Sequence, residues 1–299
     1  MPEPHWDDLK IFLAVAREES LSAAGRVLRV DPATVGRRIA RLEAALEVPL
    51  FLKSPQGYRL SAAGERLLGH SEAVEQAMRG GLDALAGPGE RLSGQVRIGA
   101  PDGCANYLLP GVVTAMARDN PDLDIQIVAL PRVVNLSRRE ADMAITVSAP
   151  TAGQLLVQKI TDYHLHLTAS CDYLDGTPPI TSLEDLRGRQ MIGYIPDMIF
   201  DAELDYLQEL QVTRVPLASN SVSVQLNLAA QGTGLCIAHD FALPVYPRMV
   251  KVLPDQIALT RSFYLVRHQS DRKSDRLNRF AQLLVDGMRA ELLRLESLT

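Results

Sequence analysis

The apolar patterning predicts an α/β protein in which a small helical domain precedes a larger one of alternating strands and helices. Three features carry that expectation. Two short helices flank a tight turn within residues 21–51, one long amphipathic helix follows, and a strand–helix order then repeats from residue 95 to the end.

Residues 21–51 read LSAAGRVLRVDPATVGRRIARLEAALEVPLF. Ser22 suits the N-cap of the first helix, whose apolar positions are Ala23, Ala24, Val27 and Leu28. Val30 closes the turn. Asp31 suits the cap of the second helix, with Pro32 at its first position, where proline is tolerated. Val35, Ile39, Leu42 and Leu46 recur at helical spacing and mark the inward face. Thr34, Gly36, Arg37, Arg38 and Arg41 are then left on or near the outward face. A helix-turn-helix offers such a second helix to the DNA major groove. Taken alone, the segment also reads as a helical hairpin with a solvated basic face.

The next residues favour the first reading. LFLKSPQGYRLSAAGE, residues 50–65, has strand-like ends around a Pro55/Gly57 turn, with Lys53 and Arg59 flanking it. A β-hairpin wing beside a phosphate backbone needs this reversal with a cation on either side. From residue 26 to residue 59, seven cations face three anions in a chain whose formal net charge is −5. Positive charge is concentrated where nucleic acid would touch.

Residues 7–69 resemble the winged helix-turn-helix of LysR-type transcriptional regulators. The stretches SLSAAGRVL, TVGRRIARLEAAL, PLF and YRLSAAGE carry the resemblance, and a looser similarity continues along the chain in that family's order. The DNA-contacting set expected on this basis is Ser22, Asp31, Thr34, Gly36, Arg37, Arg38, Arg41, Lys53 and Arg59. Two positions depart from the family pattern: Gly36 stands where serine is usual and Lys53 where arginine is usual. Gly36 weakens its helix by up to about 1 kcal/mol and removes a hydroxyl that could meet DNA.

At 299 residues the chain has room for about two domains, and 46% hydrophobic with 22% charged residues describes an ordinary soluble protein. The acidic, polar N-terminus lacks the form of a secretory signal, and no run of about 18 apolar residues occurs. Cys104, Cys171 and Cys236 are odd in number and widely spaced, so a reducing cytoplasm is the expected location.

A helix over residues 61–86 carries Leu67, Leu68, Val74, Ala77, Met78, Leu82 and Leu85 as its apolar positions. Its stripe is expected to pair with a second copy of itself, or else to pack on its own domain. GPGE at residues 87–90 breaks it. The expected division is a DNA-binding domain at 1–60, a linker helix and hinge at 61–90, and an effector-binding domain at 91–299.

In that last domain, strands are expected at 95–100, 124–130, 141–147, 165–170, 191–195, 214–219, 235–238 and 262–268. Helices are expected through YLLPGVVTAMARDN, around 133–139, and at 201–210, 224–231 and 274–294. The resemblance implies two periplasmic-binding-protein-like lobes crossed twice by the chain: 91–166 with 267–299, and 167–266. A cleft between such lobes holds ligands where strand ends meet helix starts. The candidates there are Pro101, Asp102, Gly103, Cys104, Asn106, Arg132, Asn135, Asp197, Asn220, Ser221, Ser223 and Gln225.

Other motifs fail. QGTGLC follows a helix and opens a strand, the reverse of a phosphate loop. His164 and His166 share a strand face but lack completing metal ligands. No GxSxG, HExxH or Walker sequence occurs, and no catalytic residue, metal or cofactor is expected. The leading expectation is a regulator that binds double-stranded promoter DNA at an interrupted inverted repeat and answers to a small-molecule effector. It would act as a homodimer through the linker helix, assembled into a homotetramer, in contact with RNA polymerase and without a membrane. A redox sensor using Cys104 or Cys236 and a solute-binding transport component are the alternatives.

Overall fold

The computed structural model describes residues 5–54, 57–85, 91–129, 141–151, 154–207, 210, 212 and 214–299. The chain divides into two compact units, Met1–Gly89 with Lys273–Asp275, and Glu90–Arg272 with Arg276–Thr299.

The first unit runs α1 (Trp6–Glu18), α2 (Leu21–Leu28), α3 (Pro32–Leu46), β1 (Phe51–Ser54), β2 (Gly57–Leu60) and α4 (Ala62–Leu85). Phe12, Val15, Ala24, Val35, Ile39, Leu42 and Phe51 are buried in one core. The cap of α2 is Ser20, whose hydroxyl accepts from the Ala23 N–H, so Ser22 lies exposed inside the first turn. Starting two residues earlier brings Leu21 into the helix and onto the core. Asp31 caps α3 as expected, accepting from Ala33 N–H at 2.8 Å, and Pro32 follows it. Between α2 and α3 the chain turns through Arg29, which is left-handed with φ 56°, and Val30 N–H returns to the Gly25 carbonyl. A Cβ at Gly25 would sit 2.7 Å from the Val30 carbonyl oxygen, so this crossing requires glycine. The wing is an antiparallel pair registered Phe51↔Leu60 to Ser54↔Gly57, tied back by Tyr58 N–H to the Glu19 carbonyl.

On α4, Leu67 and Leu68 pack against this unit's own core, and Arg17 on α1 holds Glu75 at 2.8 Å. Of the stripe assigned to self-pairing, Leu67 and Leu68 are therefore already engaged, whereas Met78 is 71% exposed.

The second unit centres on one mixed sheet. Its strands are β3 (Gly94–Ala100), β4 (Leu123–Ala129), β5 (Met143–Thr146), β6 (Leu155–Ser170), β7 (Met191–Gly193), β8 (Leu217–Ala218), β9 (Leu235–His239), β10 (Met249–Lys251) and β11 (Ala258–His268). The order is β4-β3-β5-β11-β6-β9-β7-β8, with β10 on β6. Each end of the sheet is parallel: β3 pairs with β4 and β5, and β7 with β8 and β9. Joining them is the antiparallel ribbon β6–β11, which pairs from Ala258↔His166 to His268↔Leu155 with a register shift at Phe263/Tyr264. One half of the ribbon carries β5 and the other carries β9. The ribbon strands β6 and β11 are the two crossings between the lobes.

Helices α5 (Leu109–Asp119), α6 (Cys171–Asp175), α7 (Val222–Ala230) and α8 (Asp275–Glu296) complete the unit. Three expectations need correction. Strand β6 is far longer than 165–170, because its first half keeps charged Lys159 and Asp162 on an exposed face. In place of a helix over 201–210, the described residues form a 3-10 turn at Ala202–Leu204, and Tyr206 turns into the core. The strand expected at 214–219 shrinks to β8, since Pro216 has no N–H to donate to a ladder. The segment 133–139 lies outside the described residues.

The crossing at Gly25 makes a stability prediction. Gly25→Ala should lower unfolding free energy by about 1–3 kcal/mol, because backbone must move to admit the methyl group. At Gly36 the added Cβ would meet only the end of the Leu21 side chain, at 3.3 Å. Gly36→Ala should therefore raise stability by up to about 1 kcal/mol. Urea titrations of both variants check the pair.

Candidate nucleic-acid interface and ligand cleft

On α3, Arg37 is exposed and its Nη2 donates to Thr34 Oγ1 at 3.0 Å, which fixes the two side chains together. Gly36 lies half-buried against Leu21. Arg38 and Arg41 are placed differently from the expectation. They turn along α1 to Asp8, which is 1% exposed: Arg41 donates from Nε at 2.8 Å and Nη2 at 2.6 Å, and Arg38 Nε lies 3.1 Å away. A buried carboxylate must be paired, and these two guanidiniums pair it. Both still reach solvent, with side chains 31% and 51% exposed. The Asp31 carboxylate is engaged in its cap. Arg59 stands exposed on β2, across the ladder from Leu52. Lys53 pairs with Tyr58 through the β1–β2 ladder, while its side chain lies outside the described residues.

In the second unit the loop after β3 meets the start of α7. Asp102 Oδ2 accepts from Ser221 Oγ at 3.0 Å, Ser223 N–H at 3.1 Å and Ser223 Oγ at 3.4 Å. Its other oxygen accepts from Asn106 Nδ2 at 3.0 Å, so Asn106 folds back on Asp102 instead of reaching outward. A helix N-terminus presents free N–H groups to anions, and Asp102 fills that role for α7. Ser221 also caps the helix at Val224 N–H. Two further bonds join the lobes: Ser148 Oγ donates to Asp201, and the Tyr107 and Tyr246 hydroxyls are 2.7 Å apart.

Of the remaining candidates, Gly103 packs under the His239 ring, where a Cβ would come within 3.1 Å. Pro101 and Asn220 are half-buried, and Gln225 donates to the Ser219 carbonyl at 2.7 Å. Asp197 is exposed on a 3-10 turn, Pro196–Met198, away from these contacts. Arg132 and Asn135 lie outside the described residues. Cys104 is 1% exposed at the start of a π-helical turn, Cys104–Leu108, and burial pushes its thiol far up. Cys236 is pushed up to about 11 by burial, opposed by a contact with Thr168. Neither favours the thiolate that redox chemistry needs. His164 and His166 are taken by Glu296 and Asp240, and the described residues hold no metal-binding cluster.

Several residues beside the cleft went unassigned in the sequence. Tyr163, Tyr206, His239, Phe241 and Phe263 form a buried aromatic cluster, with Tyr163 and Phe263 stacked at 4.1 Å. His239 is the last residue of β9, a strand end that the rule used elsewhere would have found. Asp201 and Tyr194 border a cavity of about 810 Å³ that Gln225 and Ile237 also line.

A helix-turn-helix with a wing, joined in one chain to a two-lobed sheet domain with a ligand cleft, defines the class of effector-responsive DNA-binding regulators. Residues 6–65 match the bacterial regulatory helix-turn-helix protein, lysR family, and residues 89–289 match the LysR substrate binding domain. The chain belongs to the LysR family of bacterial transcriptional regulators. It is 27% identical to the transcriptional activator TtdR of Escherichia coli, over 83% of this chain and 82% of that one. It is 25% identical to the transcriptional regulator PtxR of Pseudomonas aeruginosa, over 82% and 81%. Its fold resembles a full-length OxyR variant from Pseudomonas aeruginosa, with TM-score 0.74, 18% identity and coverage of 97% and 96%. It also resembles Corynebacterium glutamicum LysG with bound effector Arg, with TM-score 0.66, 17% identity and coverage of 96% and 98%.

Two predictions follow the buried groups. Burial pushes His239 down to about 4, with the Asp240 charge opposing. An unfolded imidazole titrates near 6.5, so acidification through the window from about 6.5 to 4 protonates the unfolded chain first and lowers stability. Urea midpoints at pH 7 and pH 5 should differ more for the unsubstituted protein than for His239→Phe. Thiol labelling with an aromatic disulfide should modify Cys171 in the folded protein, and Cys104 and Cys236 only after unfolding.

Proposed function

We propose that this regulator binds promoter DNA as a dimer at an interrupted inverted repeat and that an effector between the lobes of its 91–299 domain alters that binding. The observation that supports it most is the bridge from Asp102 to Ser221 and Ser223, since a contact that spans the lobes is what an entering ligand would remake. The effector set is Pro101, Asp102, Gly103, Cys104, Asn106, Asn220, Ser221 and Ser223, with Arg132 and Asn135 from the sequence pattern. Residues 1–60 read DNA: Thr34 and Arg37 meet bases or adjacent phosphates, Arg38 and Arg41 are held beside them by Asp8, and Lys53 and Arg59 contact the backbone.

The linker helix α4 joins two copies through its exposed positions, Met78 among them, and the effector domains pair dimers into a tetramer that can touch RNA polymerase. The protein works in the cytoplasm, without catalysis or a resident cofactor. No described helix is long and apolar enough to cross a membrane. The LysG structure, described as holding arginine as effector, supports a small-molecule ligand here.

Band shifts and footprints on DNA flanking the protein's own gene test the reading. Two protected half-sites separated by whole helical turns are expected. Arg37→Ala should cost about 1–3 kcal/mol at the specific site if it reads a guanine, whereas Arg59→Ala should weaken all sequences alike and flatten the salt dependence. Retention of wild-type affinity by both variants would reject the assignment of helix and wing.

A further inference from the structure

We propose that the effector domain of this protein also binds an organic cation, at a site separate from the inter-lobe set, in the cavity beside Tyr194 and Tyr206 with Asp201 and Asp205 as its counter-charges. The inference rests on the reading of this domain as an effector domain and adds the ligand's chemistry. Two separate features of the site lead to it.

The first is that the anion position of the cleft is already filled. A free carboxylate seeking the start of α7 would find the hydroxyls of Ser221 and Ser223 and the Ser223 N–H engaged by Asp102. It would also have to sit beside that charge.

The second is the cavity itself, of about 810 Å³, bordered by Tyr194, Phe200, Asp201, Asp205, Tyr206 and Gln225. Gln225, on the first turn of α7, is among its lining residues, and burial, with Tyr206 and Asp102 adding to it, keeps the Tyr194 phenol protonated. The Tyr194 and Tyr206 rings meet edge to face at 5.8 Å. Asp201 is bonded to Ser148 and to Glu203 N–H. Asp205 is half-buried at the wall and has no side-chain partner among the described residues. Arg261, whose charge reaches Tyr206, is taken by Glu203, with Nε 2.9 Å from Oε2. Aromatic rings beside a carboxylate that has no side-chain partner among the described residues favour an ammonium or guanidinium group.

Calorimetry and thermal shift on the full chain at pH 7.5 decide it, using putrescine, agmatine and choline against succinate and butyrate. At least one cation should bind saturably and raise the melting temperature, and Asp205→Asn should weaken that binding tenfold or more. Asp102→Ala, which vacates the start of α7, should gain binding of acetate that the unsubstituted chain lacks. Saturable binding of succinate to the unsubstituted chain that survives Asp205→Asn, or no response to any of the three cations, would overturn the proposal. Promoter DNA binding by the unsubstituted chain is scored in the same samples. Retention of DNA with a failed cation response rejects the ligand class alone, and loss of DNA binding rejects the regulator reading beneath it.

Discussion

The pairing of β6 with β11 is the constraint on which the larger domain depends. Both strands run through both lobes, so each lobe's parallel strands are hung on a shared antiparallel ribbon. The register shift at Phe263/Tyr264 falls where β5 begins to pair with β11. Extra local twist at such a point re-aims the two halves without breaking the ribbon. Stacked Tyr163 and Phe263 fill the same place, so this part of the ribbon is packed with rigid rings.

The cleft contacts are laid over that frame in the order of their cost. Around the ribbon, the aromatic cluster keeps His239 neutral and dry, and Gly103 fits beneath its ring only because it has no side chain. One residue earlier, Asp102 is turned toward α7, and Asn106 holds its second oxygen. The charged group is thus placed by an uncharged core behind it. Bonds such as Tyr107 to Tyr246 and Ser148 to Asp201 are made between side chains at the rim, where exchanging them with water or ligand costs little.

Much of this was legible in the chain because the signals are local. The second helix of the DNA-binding unit announces itself through Asp31, Pro32 and the spacing of Val35, Ile39 and Leu42, each of which does in the fold what the pattern implies. The cleft residues after β3 and before α7 were found by the rule that strand ends face helix starts, and Asp102 and Ser221 do meet. The failures have a common cause. Ser20 and Ser22 are equivalent as caps on paper, and only the burial of Leu21 separates them. Arg38 and Arg41 read as outward until Asp8, some thirty positions earlier, is brought beside them. The local pattern places Tyr206 in a helix because nothing nearby in sequence reveals the aromatic cluster that draws it inward. Long-range pairing leaves no local trace.

If α3 faces DNA as proposed, the ion triad of Asp8, Arg38 and Arg41 changes how many small ions the protein exchanges with it. Each phosphate neutralised by a free cation releases about 0.9 of a condensed counterion, and the steepness of salt dependence counts those events. A guanidinium that already shares a carboxylate brings its own neutralising partner to the interface and displaces less than a full ion. The tally of seven cations between residues 26 and 59 therefore exceeds the number that ionic strength can titrate. On the proposed reading of α3 as the DNA-facing helix, contact with a duplex through these two side chains is correspondingly buffered against swings in ionic strength, and sequence discrimination rests more heavily on neighbouring residues such as Arg37.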